Sequence, residues 1–195
     1  MRSAADLEAG LETIRHSPRE LGTLELIVRR PETGVREVVP VGVLDPGHGL
    51  IGDNWSARDP AAPDPHVQVT IMNARAADLV AESRDRWPLA GDQLYVDFDL
   101  STANIPPGTR LRIGSAVIEV SAEPHTGCRK FVTRFGVDAM KFVNSPVGRA
   151  LNLRGINARV VEAGEIRTGD SVSKVAAPPL AVDGERLRHG TGSHD

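Results

Sequence analysis

Short apolar segments separated by glycine- and proline-rich turns recur along this chain, and they constrain its fold more than any other feature. The clearest case is Arg110–Val120, where two alternating runs flank the two-residue turn Gly114-Ser115 and predict a β-hairpin. Because strands and helices do not alternate regularly, the pattern predicts a mainly β domain, either a barrel or a sandwich. The other predicted strands are 24–28, 35–44, 66–72, 94–100, 156–161 and 172–175.

Helical spacing of apolar residues is found in three segments. A helix is predicted over 3–15, another from an N-cap at Asn73 to about Arg86, and a third over 135–151 with an interruption at Pro146. Three helices are too few for one helix to follow each predicted strand. The sequence therefore favours a β domain to which a few helices are added.

The sequence pattern predicts that the chain consists of three regions. We expect residues 1–19 to form a helical extension, residues 20–176 to form one β domain, and residues 177–195 to form a polar, disordered tail. An apolar content of 40% suits one domain of this size with a hydrophobic core of its own.

Composition argues against two classes of partner. A formal net charge of −3 disfavours nucleic-acid binding, which usually requires a basic excess. No apolar run approaches the roughly 20 residues that span a bilayer, and residues 1–18 lack the apolar core of a secretory signal. We therefore expect a cytoplasmic protein without a membrane segment.

One glycine motif invites a misleading interpretation. Residues 47–52 match the pattern G-x-G-x-x-G of dinucleotide-binding proteins. That site requires a helix that starts inside the motif, because its first N–H groups bind the pyrophosphate. Residues 53–65 hold three prolines and no apolar period, so the glycines are expected to shape a loop instead.

The single cysteine has an unusual sequence context. Cys128 follows a glycine and precedes Arg129 and Lys130, and His125 lies three residues upstream. Neighbouring cations stabilise a thiolate, which is both a nucleophile and a soft metal ligand. A lone cysteine is otherwise often buried apolar volume. One cysteine also excludes a disulfide within this chain and an iron–sulfur cluster held by four of its own cysteines.

Five segments in the second half of the chain form an ordered set: Gly127-Cys128-Arg129-Lys130, Arg134-Phe135-Gly136, Arg154-Gly155-Ile156-Asn157-Ala158-Arg159-Val160-Val161, Gly164-Glu165-Ile166 and Gly169-Asp170-Ser171-Val172. Together they resemble the MOSC domain, the C-terminal domain of molybdenum cofactor sulfurases, and the resemblance covers about residues 20–175. A looser match is the loop from Gly49 to Asp53. The run Gly91-Asp92-Gln93-Leu94 departs from the Gly-Glu-Asn-Leu run of many relatives, which bears on the contacts expected on the pterin side.

The resemblance implies a closed β-barrel of the MOSC or pyruvate-kinase barrel type, decorated with a few helices. It also implies a molybdenum cofactor (molybdopterin) whose metal is held by Cys128 or receives sulfur through it. The cations implied for the cofactor's phosphate are Arg129, Lys130, Arg134 and Arg154. Neither pyridoxal phosphate nor an iron–sulfur cluster is expected in this chain, so a separate protein would donate electrons.

Three further site residues have two interpretations each. Asp53 could bind the pterin or cap its own loop. His125 could relay protons or hold the cysteine loop. Asn157 could face the site or, by strand alternation, the solvent.

Three functions compete at this stage. The first is an oxidoreductase that reduces small N-hydroxylated substrates at a molybdenum held by Cys128. The second is a carrier that accepts sulfur on Cys128 from a cysteine desulfurase as a persulfide. The third is a cysteine hydrolase with His125 as the base, which the short spacing and the missing orienting group disfavour. The oligomeric state is left open, with a homodimer as one alternative.

Overall fold

The computed structural model describes residues 1–58 and 63–175, and the predicted tail of 177–195 lies outside these residues. Seven strands form the centre of the fold: β1 (Leu21–Arg29), β5 (Val69–Asn73), β6 (Leu94–Asp97), β7 (Arg110–Ile113), β8 (Ala116–Val120), β9 (Ile156–Glu162) and β11 (Ser171–Lys174). They follow each other in the order β11-β7-β8-β9-β5-β6-β1, and pairing of β1 with β11 closes them into a barrel. The expected closed barrel is thereby confirmed.

Pairing in the barrel is antiparallel except between β5 and β6, which are parallel. The hairpin β7–β8 turns at Gly114-Ser115, as predicted. Gly114 has φ +54, and an added Cβ would collide with the side chain of Asp170 and the carbonyl of Glu165. The turn therefore requires glycine for both its conformation and its close packing.

Two apolar cores lie on the two faces of the barrel wall. The interior is filled by residues such as Leu24, Ile71 and Phe98, all at most 1% exposed. A second core, which includes Val28 and Tyr95, packs between the outside of the wall and the helices. Several strands are therefore apolar on both faces, as expected for a wall that is covered on the outside as well.

The helices differ from the predicted ones at their bounds. The predicted helix over 3–15 is two short helices, and the predicted helix after Asn73 ends at Ala81 because Glu82 adopts φ +70. Asn73 caps its helix as predicted, since its side chain accepts from the Ala76 N–H. The helices are α1 (Ala4–Ala9), α2 (Leu11–Arg15), α3 (Trp55–Arg58), α4 (Ala74–Ala81), α5 (Arg129–Asn144) and α6 (Pro146–Ala150), with 3₁₀ turns at Pro65–Val67 and Arg84–Ala90.

Three strand predictions were wrong in detail. The run 35–44 is two strands in different sheets, divided at Pro40, which has no N–H to donate to a ladder. Residues 65–67 form a 3₁₀ turn, so β5 starts only at Val69. Between the predicted strands 156–161 and 172–175, residues Gly164–Arg167 form a further strand, which belongs to a small second sheet and was not predicted. The strands outside the barrel are β2 (Glu37–Val39), which pairs with β1, and β3 (Val41–Asp45), β4 (Gly49–Leu50) and β10 (Gly164–Arg167), which form the small sheet.

Candidate functional site

Four chain segments meet at one end of the barrel. Ile71 of β5 pairs with both Leu94 of β6 and Ile156 of β9, so β6 and β9 begin at the same level. β1 ends there because Ile27 also pairs with Leu94. β8 ends there as well, because its last residues pair with the first half of β9. The loops attached to these four strand ends bring together charged residues that are far apart in the sequence.

A buried ion pair joins two of these segments. Arg154, just before β9, donates from Nη1 to Oδ2 of Asp92 at 2.6 Å, and the two side chains are 8% and 0% exposed. Its other terminal nitrogen donates to the Ala90 carbonyl at 2.9 Å. The guanidinium also lies over the Phe131 ring, 5.1 Å from its centroid. Such burial is tolerated because a partner compensates each charge.

A second buried pair supports the same end of the barrel. Arg30, which follows β1, binds both carboxylate oxygens of Asp53 at 2.8 and 2.9 Å, and the Asp53 side chain is fully buried. The same carboxylate accepts from the backbone N–H groups of Arg30 and Trp55. Asp53 is thus connected to the other predicted site residues only through its ion pair with Arg30. Its two carboxylate oxygens accept four hydrogen bonds from within the protein.

Arginine side chains also donate hydrogen bonds to the backbone carbonyls at the C-terminal end of the 3₁₀ turn Arg84–Ala90. Three consecutive carbonyls, of Leu89, Ala90 and Gly91, each accept from a different arginine, namely Arg134, Arg154 and Arg30. The last carbonyls of a helical turn have no partners within it and attract cations. This row therefore fixes three guanidinium groups around one short segment, each with further N–H groups to offer.

His125 lies beside the Asp92 carboxylate. Its Nδ1 is 3.4 Å from Oδ1 of Asp92, and its side chain is 17% exposed. Burial lowers the pKa of His125 to about 4; the Asp92 charge opposes that shift, and Arg154 and Arg30 reinforce it. The imidazole is therefore neutral near pH 7.

Cys128 is an exposed thiol at the N-terminus of α5. The helix begins at Arg129, six residues earlier than the predicted 135, and its φ and ψ angles break at Gly136. The Phe131 N–H lowers the pKa of the Cys128 thiol. Partial burial opposes this, and the Lys130 N–H and the charges of Arg154 and Lys130 add to it. Cys128 is thereby placed within the field of the buried arginine.

The remaining predicted residues lie either at the surface or against a neighbouring chain segment. Arg129 and Lys130 are exposed, and Arg134 is partly buried against the Leu89 carbonyl. Asn157 is 4% exposed and donates to the Glu123 carbonyl at 3.1 Å. Its side chain thus holds the loop that leads to Cys128 and does not face solvent.

Two residues of this site were not predicted. Asp92 was noted only as a departure from the resemblance, yet it is the carboxylate that His125 and Arg154 share. Its position in the run Gly91-Asp92-Gln93-Leu94, where many relatives have Gly-Glu-Asn-Leu, was a usable signal because both runs place a carboxylate directly after the glycine. Arg30 gave no sequence signal, because only the fold brings it to Asp53 and Gly91.

Comparison with known families agrees with this architecture. The sequence profile of the MOSC domain matches residues 64–173, which is more than half of the chain. The chain belongs to the MOSC domain family. Asp92, His125, Cys128 and Arg154 of this MOSC domain all lie within the matched region, whereas Arg30 and Asp53 precede it.

Solved structures share the fold of this MOSC domain. The YuaD protein from Bacillus subtilis is similar at 19% identity, with 78% of this chain and 94% of that chain covered and a TM-score of 0.55. YiiM from Escherichia coli is similar at 18% identity, with 80% and 71% covered and a TM-score of 0.54. No curated protein sequence matched significantly. Within the described residues, no helix is long and apolar enough to cross a membrane.

Proposed function

We propose that this MOSC domain binds the molybdenum cofactor, with Cys128 as a ligand of the metal, and acts as an oxidoreductase on small N-hydroxylated substrates. The observation that carries the proposal is a cluster of three buried polar atoms that make no hydrogen bond: Nε of Arg154, and Oδ1 of Asp92 and Nδ1 of His125, which lie 3.4 Å apart. The charge of Arg154 also acts on the Cys128 thiol and helps to lower its pKa. Buried polar atoms normally have hydrogen-bond partners, so their convergence here is typical of a place that a polar ligand completes.

The residues present fit the cofactor chemically. A thiolate is a soft ligand and suits a molybdenum that already bears sulfur. The phosphate requires cations or N–H groups, and the exposed Arg129 and Lys130 together with Arg134 supply them. Gly91 leaves room beside Arg134, because a Cβ added there would lie 3.7 Å from Nη1 of Arg134.

Each buried residue then has a defined task. Arg154 holds positive charge beside the thiolate, and Asp92 keeps that guanidinium in place. Asp53 does the same for Arg30, so in this proposal it positions a cation instead of contacting the pterin. Asn157 fixes the cysteine loop through the Glu123 carbonyl. The bound molybdenum supplies two-electron redox chemistry.

Reduction of an N-hydroxylated base consumes two electrons and two protons and releases water. A separate donor protein supplies the electrons. His125 stands beside Asp92 as a neutral imidazole, which can accept a proton on one nitrogen and donate from the other. We assign to it the relay of protons toward the substrate, with Asp92 orienting the ring.

One observation favours a second candidate, a sulfur carrier. Cys128 is exposed, and its pKa is lowered, so the thiolate can be reached by a cysteine desulfurase. A persulfide formed there would transfer its outer sulfur to the cofactor or to a client enzyme and leave the thiolate behind. In that function the chain itself carries out no turnover of a reducible substrate.

One experiment separates the two candidates. The protein and its Cys128→Ala variant are purified from a host that makes the cofactor, and molybdenum content and reduction of an aryl amidoxime with dithionite are measured. The oxidoreductase proposal expects bound molybdenum and turnover in the wild type and loss of turnover in the variant, with an unchanged melting temperature. Turnover that survives in the variant would contradict it. Persulfide on Cys128 without turnover would favour the carrier.

The predicted location and partners belong to the same proposal. A cytoplasmic protein meets both the cofactor and soluble electron donors. A homodimer remains a prediction that light scattering tests.

A further inference from the structure

A cavity of about 360 Å³ lies between the N-terminal helices and the outside of the barrel wall, and no residue of the proposed function lines it. Its walls come from the segment of α1 and α2, from β1 and β6, from α4 and from the 3₁₀ turn Arg84–Ala90. The helices are tightly packed at its edge, because a Cβ added to Gly10 would lie 2.4 Å from Cδ1 of Leu79. A volume in this range suits a small molecule.

The cavity lies away from the Cys128 site. Asp97, which lines the cavity, is the last residue of β6, whereas Asp92 of the candidate site precedes Leu94, the first residue of that strand. The two places are therefore toward opposite ends of β6. A ligand in the cavity would not compete with the cofactor.

Apolar side chains form part of the cavity wall. Trp87 and Ala74 line it and are 5% and 4% exposed, and Leu79 packs against the same apolar core. Pockets of this composition gain binding energy from an apolar group of the ligand, which leaves water when it packs against them.

Three charged groups of the wall are already neutralised within the protein. Arg75 donates from Nε and Nη2 to the two carboxylate oxygens of Asp97 at 2.7 and 3.0 Å, and from Nη1 to the Thr13 carbonyl at 3.0 Å. Glu25 accepts from Nη1 of Arg84 at 3.1 Å. These groups require no charge from a ligand.

Two other groups of the wall have opposite charges that are not paired in this way. Among residues 1–58 and 63–175, neither Arg2 nor Asp78 forms a salt bridge, although the charge of Arg2 acts at longer range on Asp6 and Glu82. In the same part of the chain, the Asp78 side chain accepts one hydrogen bond, from the Trp87 indole N–H at 3.3 Å. A ligand with a carboxylate and an ammonium group can pair with both residues.

We propose that this cavity binds a small zwitterion with an apolar side chain, such as a free amino acid. The carboxylate of the ligand pairs with Arg2, its ammonium group pairs with Asp78, and its side chain packs against Trp87 and Leu79. A residue inside a peptide chain lacks both charges, so the free molecule is the one that fits. The inference is independent of the proposed function, because none of these residues contacts the cofactor in that proposal.

The test is calorimetry on the purified full chain with three probes. They are L-phenylalanine, 2-phenylethylamine, which lacks the carboxylate, and 3-phenylpropanoate, which lacks the ammonium group. The variants are Asp78→Asn and Arg2→Gln, with Asp85→Asn as the matched control. Asparagine at position 78 keeps an oxygen that can accept the Trp87 N–H. Asp85 is an exposed carboxylate of the same 3₁₀ turn as Trp87 but does not line the cavity.

We expect the wild type to bind L-phenylalanine about five-fold or more tightly than either analogue. Asp78→Asn should weaken L-phenylalanine about five-fold without weakening 3-phenylpropanoate, and Arg2→Gln should weaken it similarly without weakening 2-phenylethylamine. Asp85→Asn should change each affinity less than about two-fold.

Three results would overturn the site. They are no binding of L-phenylalanine at about 10 mM, binding no tighter than that of either analogue, and equal losses in Asp78→Asn and Asp85→Asn. Because these titrations need no cofactor, their result is separate from the molybdenum content and turnover that test the proposed function.

Discussion

Replacing Asp92 by asparagine tests whether the buried ion pair organises this end of the barrel. Asparagine keeps the shape of the side chain but removes its charge, so Arg154, at 8% exposure, keeps a positive charge that no carboxylate balances. Removal of one partner from a buried pair typically costs about 3–5 kcal/mol. At about 2–4 °C per kcal/mol for a domain of this size, the melting temperature should fall by about 10 °C.

The assay is thermal unfolding followed by circular dichroism, with a double-mutant cycle. Arg154→Met alone should also destabilise, because it leaves the fully buried Asp92 carboxylate unpaired. The double variant should lose less than the sum of the two single variants, since neither charge is then left alone. Breaking the exposed pair of Arg112 and Glu162 serves as the control and should cost at most about 1 kcal/mol. A melting temperature within 1 °C of wild type for Asp92→Asn, or strict additivity, would refute the reasoning.

Three further outcomes are expected from the described contacts. The pKa of His125 is about 4 in the folded protein and about 6.5 when unfolded, so the unfolded chain binds more protons between these values and stability falls as the pH drops through them. His125→Gln should remove roughly 3 kcal/mol of this pH dependence, measured by denaturant titrations at several pH values. Gly136→Ala should cost about 1–3 kcal/mol, because Gly136 has φ +90 and ψ 169, whereas Gly47→Ala should cost little. Gln93→Leu should cost about 1–3 kcal/mol, because the buried amide oxygen of Gln93 accepts a backbone N–H of β5 at 2.7 Å; an unchanged denaturation midpoint would contradict this.

The local parts of the fold could be predicted from the sequence. The Gly114-Ser115 hairpin and the Asn73 cap depend on neighbouring residues, and both were confirmed. The start of α5 was missed because Gly136 interrupts the helical pattern, so that the turns before it did not look like part of one helix. Pro40 was likewise passed over as the break between two strands.

Only the part of the candidate site that is formed by residues adjacent in the sequence could be predicted. Cys128 and its two following cations form one short motif, and the MOSC resemblance added Arg154. The partners that bury and fix Arg154 are remote in sequence: Asp92 lies 62 residues away. Such pairings arise from the register of the barrel strands, which no local pattern specifies.

The central claim, a bond between Cys128 and molybdenum, is tested most directly by X-ray absorption at the molybdenum edge. Cofactor-loaded wild type and Cys128→Ser are compared, and the sulfur atoms around the metal are counted from the extended fine structure. The account predicts one sulfur ligand fewer in the serine variant. An identical sulfur count in both proteins would contradict it.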